Sequence, residues 1–530
     1  MSKYSTTLSV QNTHKQSLAF VRNGLIGLAL LAFVIQLLVD VSVENVLSNL
    51  LALSTTVICA VIVFQRANAT SGKSFIATIV FLMIISNSLL PVLGTLMEGN
   101  SLIVNLLEPV QTYFHRLLFA LVLSGALIVS DSNLLFSLKY GLSKVGSVLG
   151  ANLHASAGTV WGFGIIATCG TFISYLPIPV SLGKFLAGFQ FLMYAPFILV
   201  VAPYNANIKG WQKKILFFYY LLIAGISLAN NSRSGMVAPI AVTAAAWIMS
   251  VLLGQIVVNK NMIRKFVVVF IGAFFLLAQF IDVSTAILLA RAGREDRTSS
   301  EQLAYTWVFF LDKEALYEYR MTDLEIVELQ GDGKEDWQEN YIANPFLARF
   351  ILIKFDDNCL YRVNQFDDAQ KQVLMLNSFE RNLVQLPTPL LDLLDINVDK
   401  KEINSYSMGD LIHNLATGHT LGSFVVGSIP VHAFAILGWF YPFILFIIYT
   451  LIFILFSGVV SVLNSQRNDL QKYSTLGLIL PFYLFTIISV DGLYIPINIL
   501  IRGIWQILLI YWIAILLLRM VGILGFQRTK

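Results

Sequence analysis

Apolar stretches of about twenty residues recur along this chain from one end to the other. Each is long enough to cross the roughly 30 Å hydrocarbon core of a bilayer as a helix. A 57% hydrophobic and 12% charged composition over 530 residues, with a mean hydropathy of +0.74, lies outside the range of soluble globular domains. The expected fold is therefore an all-α integral membrane protein with about twelve transmembrane helices. They fall near 22–41, 46–65, 74–97, 113–132, 158–178, 185–204, 214–231, 235–258, 265–288, 432–463, 473–493 and 497–521.

Charge orders these spans. Lys3, Lys15 and Arg22 precede the first, and Arg66 and Lys73 follow the second. Lys139 and Lys144 follow the fourth, Lys209, Lys213 and Lys214 the sixth, and Lys260, Arg264 and Lys265 the eighth. Arg467 and Lys472 precede the eleventh, and Arg519, Arg528 and Lys530 close the chain. Because short cytosolic loops collect Lys and Arg, this alternation places both termini in the cytosol. The first twenty-two residues show no cleavable-signal pattern, and the segment after them is long enough to be retained. The net charge of +4 hides acidic residues concentrated in about 290–420, a pattern of membrane topology rather than of nucleic-acid binding.

Three regions follow: an N-terminal bundle of about nine helices (1–289), an outer loop (290–420), and a C-terminal part (421–530) with a short re-entrant element and about three helices. The loop is too long for the charge rule to govern. Its "TWVFFLDKEALYEYRMTDLEIVEL" has helical spacing and predicts a folded cap, with "GDGKEDWQEN" as a turn-rich excursion. "LGSFVVGSIP" is too short to cross, and its glycines and Pro430 suit a broken helix lining a cavity. There is no internal repeat. Cys59, Cys169 and Cys359 suggest no disulfide framework, and the first two read as packing residues.

Outside the cap, Arg116, Lys184, Arg233 and Arg502 break the charge alternation by standing at or near the outer face. Arginine's planar donors suit phosphate oxygens, so these positions point to an anionic group handled there. In "NNSRSG", Arg233 sits between two spans and Ser234 could cap the next helix, whose N-terminal amides would face the same anion. A tight turn with a snorkelling Arg is the plainer reading. Arg291 and Arg294, with Arg297 or Thr298 a turn on, would share a helix face, tempered by Glu295 and Asp296. Arg116 and Arg502 lie a turn inside their spans and would converge with Arg233 if they face the interior. In "GDLIHNLATGHTLG", Asp410, His413 and His419 are the acid–base candidates, since a His near its ordinary pKa can take a proton from a sugar hydroxyl. The two His are six apart, not on one helix face, and no flanking Cys or Glu completes a metal set. Asp356–Asp357 and Asp367–Asp368 could bind a divalent cation, though solvated turns are the simpler reading; His432 starts a helix. No Gly-rich phosphate loop with Lys is present, so no cofactor is expected.

With "SRSG" at 232–235, the basic run Arg291 to Arg297, and "HN" at 413–414 followed by Gly-containing apolar sequence to "LGWFYPF", the layout resembles the Wzy-type O-antigen and exopolysaccharide polymerases. The resemblance implies a mostly helical periplasmic loop and an inner-membrane enzyme. It implies metal-independent, inverting transfer of a glycan from undecaprenyl pyrophosphate to a lipid-linked repeat unit, with a chain-length regulator protein as a further partner. Arg233, Arg291, Arg294, Arg502 and Arg116 would hold the pyrophosphate, and His413, with Asp410 and His419, would supply the base. The related O-antigen ligases, metal-dependent multi-span glycosyltransferases using acids such as Asp40 and Glu44, and a transporter or lipid flippase are the competing readings.

Overall fold

The computed structural model describes every residue except 1, 67–70, 133–134, 175, 177, 230–232, 263, 265–280, 291–297, 320–336, 340, 343, 345–346, 387, 462–473 and 524–530. Among the described residues the chain is helical throughout, without a β-strand. Nine of the described helices are long and apolar enough to cross a membrane, or ten if a bent pair counts as one span. A shorter apolar helix, Thr475–Ile488, accompanies them. The expected span near 265–288 lies mostly outside the described residues, as do the "GDGKEDWQEN" turns up to 336.

The N-terminal part runs α1 (Ser2–Val39), α2 (Val43–Arg66), α3 (Ser71–Ile85), α4 (Leu89–Met97), α5 (Pro109–Ser130), α6 (Phe136–Val148), α7 (Ala157–Ser174), α8 (Val180–Ala187, continued by a 3-10 stretch Gln190–Val200), α9 (Gly210–Ala229) and α10 (Arg233–Leu252). The 43° bend between α3 and α4 has a local cause. The side chains of Asn87 and Ser88 donate to the Met83 and Ile84 carbonyls (2.9 Å each), and Pro91 has no N–H to continue the ladder. One difference from expectation is α6, which charge assigned to a connecting loop. It folds because Ser143 donates to the Ser461 carbonyl (2.9 Å) and lays the helix against the end of the tenth predicted span. Cys59 is buried as expected, while Cys169 is exposed on the outside of α7.

The remainder comprises α11 (Ser299–Leu311), α12 (Ile353–Val363), α13 (Asp368–Val384), α14 (Thr388–Leu393), α15 (Met408–Thr417), α16 (Ile429–Leu437), α17 (Tyr441–Val460), α18 (Thr475–Ile488) and α19 (Tyr494–Met520, π-helical over Ile499–Gly503). The cap, α12 to α15, docks at the end of the bundle where α4 finishes and α5 starts, hereafter the cap end. Ile351 and Ile353 pack with Val92 and Tyr113 of the bundle. Cys359, Leu360, Leu374 and Met408 pack with Val431 and Tyr494. Each such side chain contributes on the order of 1.5–3 kcal/mol by leaving water. Tyr341, its phenol pushed up by burial, donates to the Leu102 carbonyl across the same seam.

Two cap expectations change. The Asp356–Asp357 pair is no solvated turn: α12 buries both. Asp356 pairs with Arg116, and Asp357 accepts from the Leu107 and Glu108 amides (2.8 Å) and from Lys354 (3.1 Å). Asp367 caps α13 through a reciprocal bond with Gln370. The segment 421–428 is an irregular loop rather than a broken helix, with positive φ at Gly422 and Phe424. Its amides at Phe424, Val425 and Val426 are taken by the carboxylates of Asp410 and Glu339, so none is left for a helical ladder. The break falls later, at Gly438 (φ 54), between α16 and α17.

Candidate active site at the cap end

The short helix α15 carries Asp410 and His413, with His419 just past its end, and it is pinned at its start. Ser407 and Asp410 form a reciprocal cap, each side chain bonded to the other's backbone N–H at 3.0 Å. The Asp410 carboxylate also accepts from Phe424 (2.8 Å) and Val425 (3.0 Å). Buried and holding three amides, Asp410 organises the loop that returns to the bundle. The fit is close: a Cβ on Gly409 would lie 2.3 Å from the Val425 carbonyl oxygen, and one on Gly427 would lie 2.5 Å from that of Asp491. Only glycine allows these backbones to approach.

His413 lies further along α15 and is buried. Its ring sits between Trp337 (5.5 Å between centroids) and His419 (4.8 Å), with the Thr417 hydroxyl 3.4 Å from Nδ1. Helical spacing keeps the two histidines apart, yet the chain brings them together. Gly418 ends α15 in the left-handed region (φ 74), and Asn414 donates to the His419 carbonyl (2.6 Å), folding the chain back so that the rings meet. His419 is exposed where His413 is covered. Among the described residues no three His, Cys, Asp or Glu gather as a metal site would require.

Beneath α15 lies a second polar group that the sequence did not single out. Asp491, in the turn before α19 and itself left-handed (φ 80), accepts from the Met408 amide at the start of α15 (3.0 Å) and from the Tyr494 hydroxyl. Arg381 of α13 is buried, donates to Asn377 (3.0 Å) and to the Tyr406 carbonyl (2.8 Å), and lies over the rings of Tyr406 and Tyr494. His432 accepts from the Leu493 amide at Nδ1 (2.9 Å), which puts its proton on Nε2, 2.7 Å from the Ser378 hydroxyl. Cap helices α13 and α15 are thereby bonded to α16 and to the head of α19. The signal was present: Asn377, Ser378 and Arg381 stand three and four apart on one face of a helix whose other face is apolar.

The arginines part company. Arg116 faces the interior, and its charge is matched by Asp356. Arg502 is exposed on the flank of α19, with one guanidinium nitrogen 3.5 Å from the Gln385 carbonyl, so the two share no site. Lys184 is exposed on α8. Arg233 is the first residue of α10, its side chain outside the described residues, as are Arg291, Arg294 and Arg297. Compared with known proteins, the chain matches no family model, no curated protein and no solved structure.

Proposed function

We propose that this protein is a membrane glycosyltransferase that joins lipid-pyrophosphate-linked saccharide units at its cap end. One observation carries the reading: two histidines with ring centroids 4.8 Å apart, one covered on a short helix fastened at its base to a multi-span bundle and one exposed just past the end of that helix. In such a reaction the acceptor hydroxyl gives its proton to a ring nitrogen of the pair as its oxygen attacks the anomeric carbon. The bond from that carbon to pyrophosphate breaks with inversion, and the leaving group takes the electron pair. A base so placed contributes about 100- to 10,000-fold. Arg233, Arg291 and Arg294 are the arginines proposed to receive the pyrophosphate, since dispersed cationic donors can stabilise that leaving group without a metal. The resemblance to Wzy-type polymerases and the Lys and Arg alternation favour the periplasmic face of a bacterial inner membrane, with cytosolic termini.

The test is turnover of undecaprenyl-pyrophosphate-linked repeat units by purified protein in vesicles. His413→Ala and His419→Ala are each expected to stall at single units with fold intact, and activity is expected to survive strong chelator. Near-normal turnover by both variants would remove the base from this pair. Loss of activity on chelation would favour the metal-dependent class, and movement of intact substrate without elongation would favour a transporter.

A further inference from the structure

Helix α13 is built inside out for a helix in water. Its inward face holds Asn377, Ser378 and Arg381, while its outward face exposes Val373, Met375, Leu376 and Phe379, the last by 64%. The chain after it continues the pattern, with Leu393 exposed by 79% and Leu394 by 54% in α14 and the turn that follows. In water each of these side chains would forgo the gain that burial of its exposed part brings. Gln372 and Glu380 flank the strip on α13, and Asp392 and Asp395, both exposed, flank it at Leu393 and Leu394.

The position of α13 along the membrane normal can be read from α19. Arg502 near one end of that helix and Arg519 near the other are both exposed, with Ile501, Trp505 and Leu509 exposed around and between them. About seventeen residues separate the two arginines, roughly 25 Å of helix at 1.5 Å per residue. That nearly matches the hydrocarbon thickness, so the guanidinium groups reach the two headgroup layers. Arg502 contacts the carbonyl of Gln385, the residue that caps the end of α13. The end of α13 therefore lies at the level where headgroups meet acyl chains, and α14 starts three residues after it. Their apolar strip continues the lipid-facing flank of α19.

We propose that α13 and α14 lie in the bilayer surface, with Val373, Met375, Leu376, Phe379, Leu393 and Leu394 among the lipid acyl chains, so that the cap is a membrane-embedded collar rather than a domain standing in water. Such helices bind an interface through the apolar area they bury. The inference does not depend on the chemistry proposed above.

Spin labels at Leu376→Cys, Phe379→Cys and Leu393→Cys, in a Cys169→Ser background of the full chain, test it. Cys59 and Cys359 are buried and stay unlabelled. In vesicles of phosphatidylethanolamine and phosphatidylglycerol, collision with oxygen is compared with collision with a water-soluble nickel chelate. The three labels should favour oxygen, as a label at the lipid-facing Leu509 does, and differ from a label at the exposed Lys401. Labels that behave like the one at Lys401 would place the strip in water and overturn the proposal. So would labels shielded from both reagents, which would mean a second copy or another protein covers it.

Discussion

Arg116 and Asp356 give the sharpest test of how the cap is held. Arg116 is 4% and Asp356 is 1% exposed, and the second carboxylate oxygen of Asp356 has no hydrogen-bond partner among the described residues. Arg116→Met would leave that carboxylate buried and unpaired. Breaking a buried pair from one side costs about 3–5 kcal/mol. At 1.4 kcal/mol per decade this is about a 100- to 5,000-fold rise in the opening of the seam between α5 and α12. Hydrogen exchange of peptides covering 105–116 and 353–363 should accelerate accordingly in detergent or nanodiscs. Arg116→Met with Asp356→Leu replaces both charges by apolar groups and should recover most of the protection, because a well-packed apolar pair is near neutral against a buried ion pair. Unchanged exchange in the single variant, or a double variant as open as the single, would refute the reasoning. If Arg116 instead serves pyrophosphate, the single variant would lose turnover with the seam fully protected.

Other expectations follow from the same structure. Asp410→Asn keeps at best one acceptor for three amides, so exchange at Phe424 and Val425 should rise by an amount corresponding to about 2–4 kcal/mol, while a purely catalytic role would leave it unchanged. His154, between α6 and α7, is lowered by burial to about 4, with Nδ1 3.0 Å from the Tyr204 hydroxyl. Its neutral form is the folded one. The unfolded chain therefore binds more protons between about pH 6.5 and 4, and the stability tied to this site is present above that window and lost as pH falls through it. Exchange near Leu153 and Thr475 should rise on acidification, and His154→Gln should flatten that dependence. For topology, in a Cys169→Ala background, Asn404→Cys should react with an impermeant thiol reagent on intact cells and Lys213→Cys should not; the reverse pattern would invert the orientation.

The spans were legible because their signal is long, repeated and one-dimensional: twenty apolar residues read the same whichever neighbour they meet. The α3–α4 bend and the Gly438 break were not, since each depends on side chains returning to particular carbonyls or on one residue's φ. Lys139 and Lys144 marked 136–148 as a connection, yet packing against α17 makes it a helix. At the site, "GDLIHNLATGH" drew attention to His413 and His419 as polar residues near the end of the cap. The contact of their rings was hidden because periodicity assumes the helix continues, and Gly418 reverses it. The Asp356–Asp357 pair was misjudged for a related reason. Two adjacent acids look solvated until an arginine and two amides arrive from elsewhere in the chain and a lysine of the same helix joins them. Asp491 and Arg381 are a further case, because the segments they hold together, Met408 with the turn before α19 and α13 with Tyr406 and Tyr494, are distant in sequence.

Those contacts change what the cap is. A loop of this length could hang from the bundle by its two ends, but here it is bonded along its length. Asp357 holds the start of α5, Arg116 holds α12, and Asp491 holds the first amide of α15. Arg381 and His432 join α13 to the C-terminal spans through Tyr406, Tyr494 and Ser378. Helix α15, with His413, is thus fixed relative to the bundle by buried, hydrogen-bonded polar groups, which carry a steep penalty when half broken. For the reaction proposed above, such rigidity would suit a base that meets a lipid-anchored substrate at a set depth. A base on a free loop would have to find that depth anew at each turnover, whereas α15 is fixed by the same bonds that close the cap on the bundle.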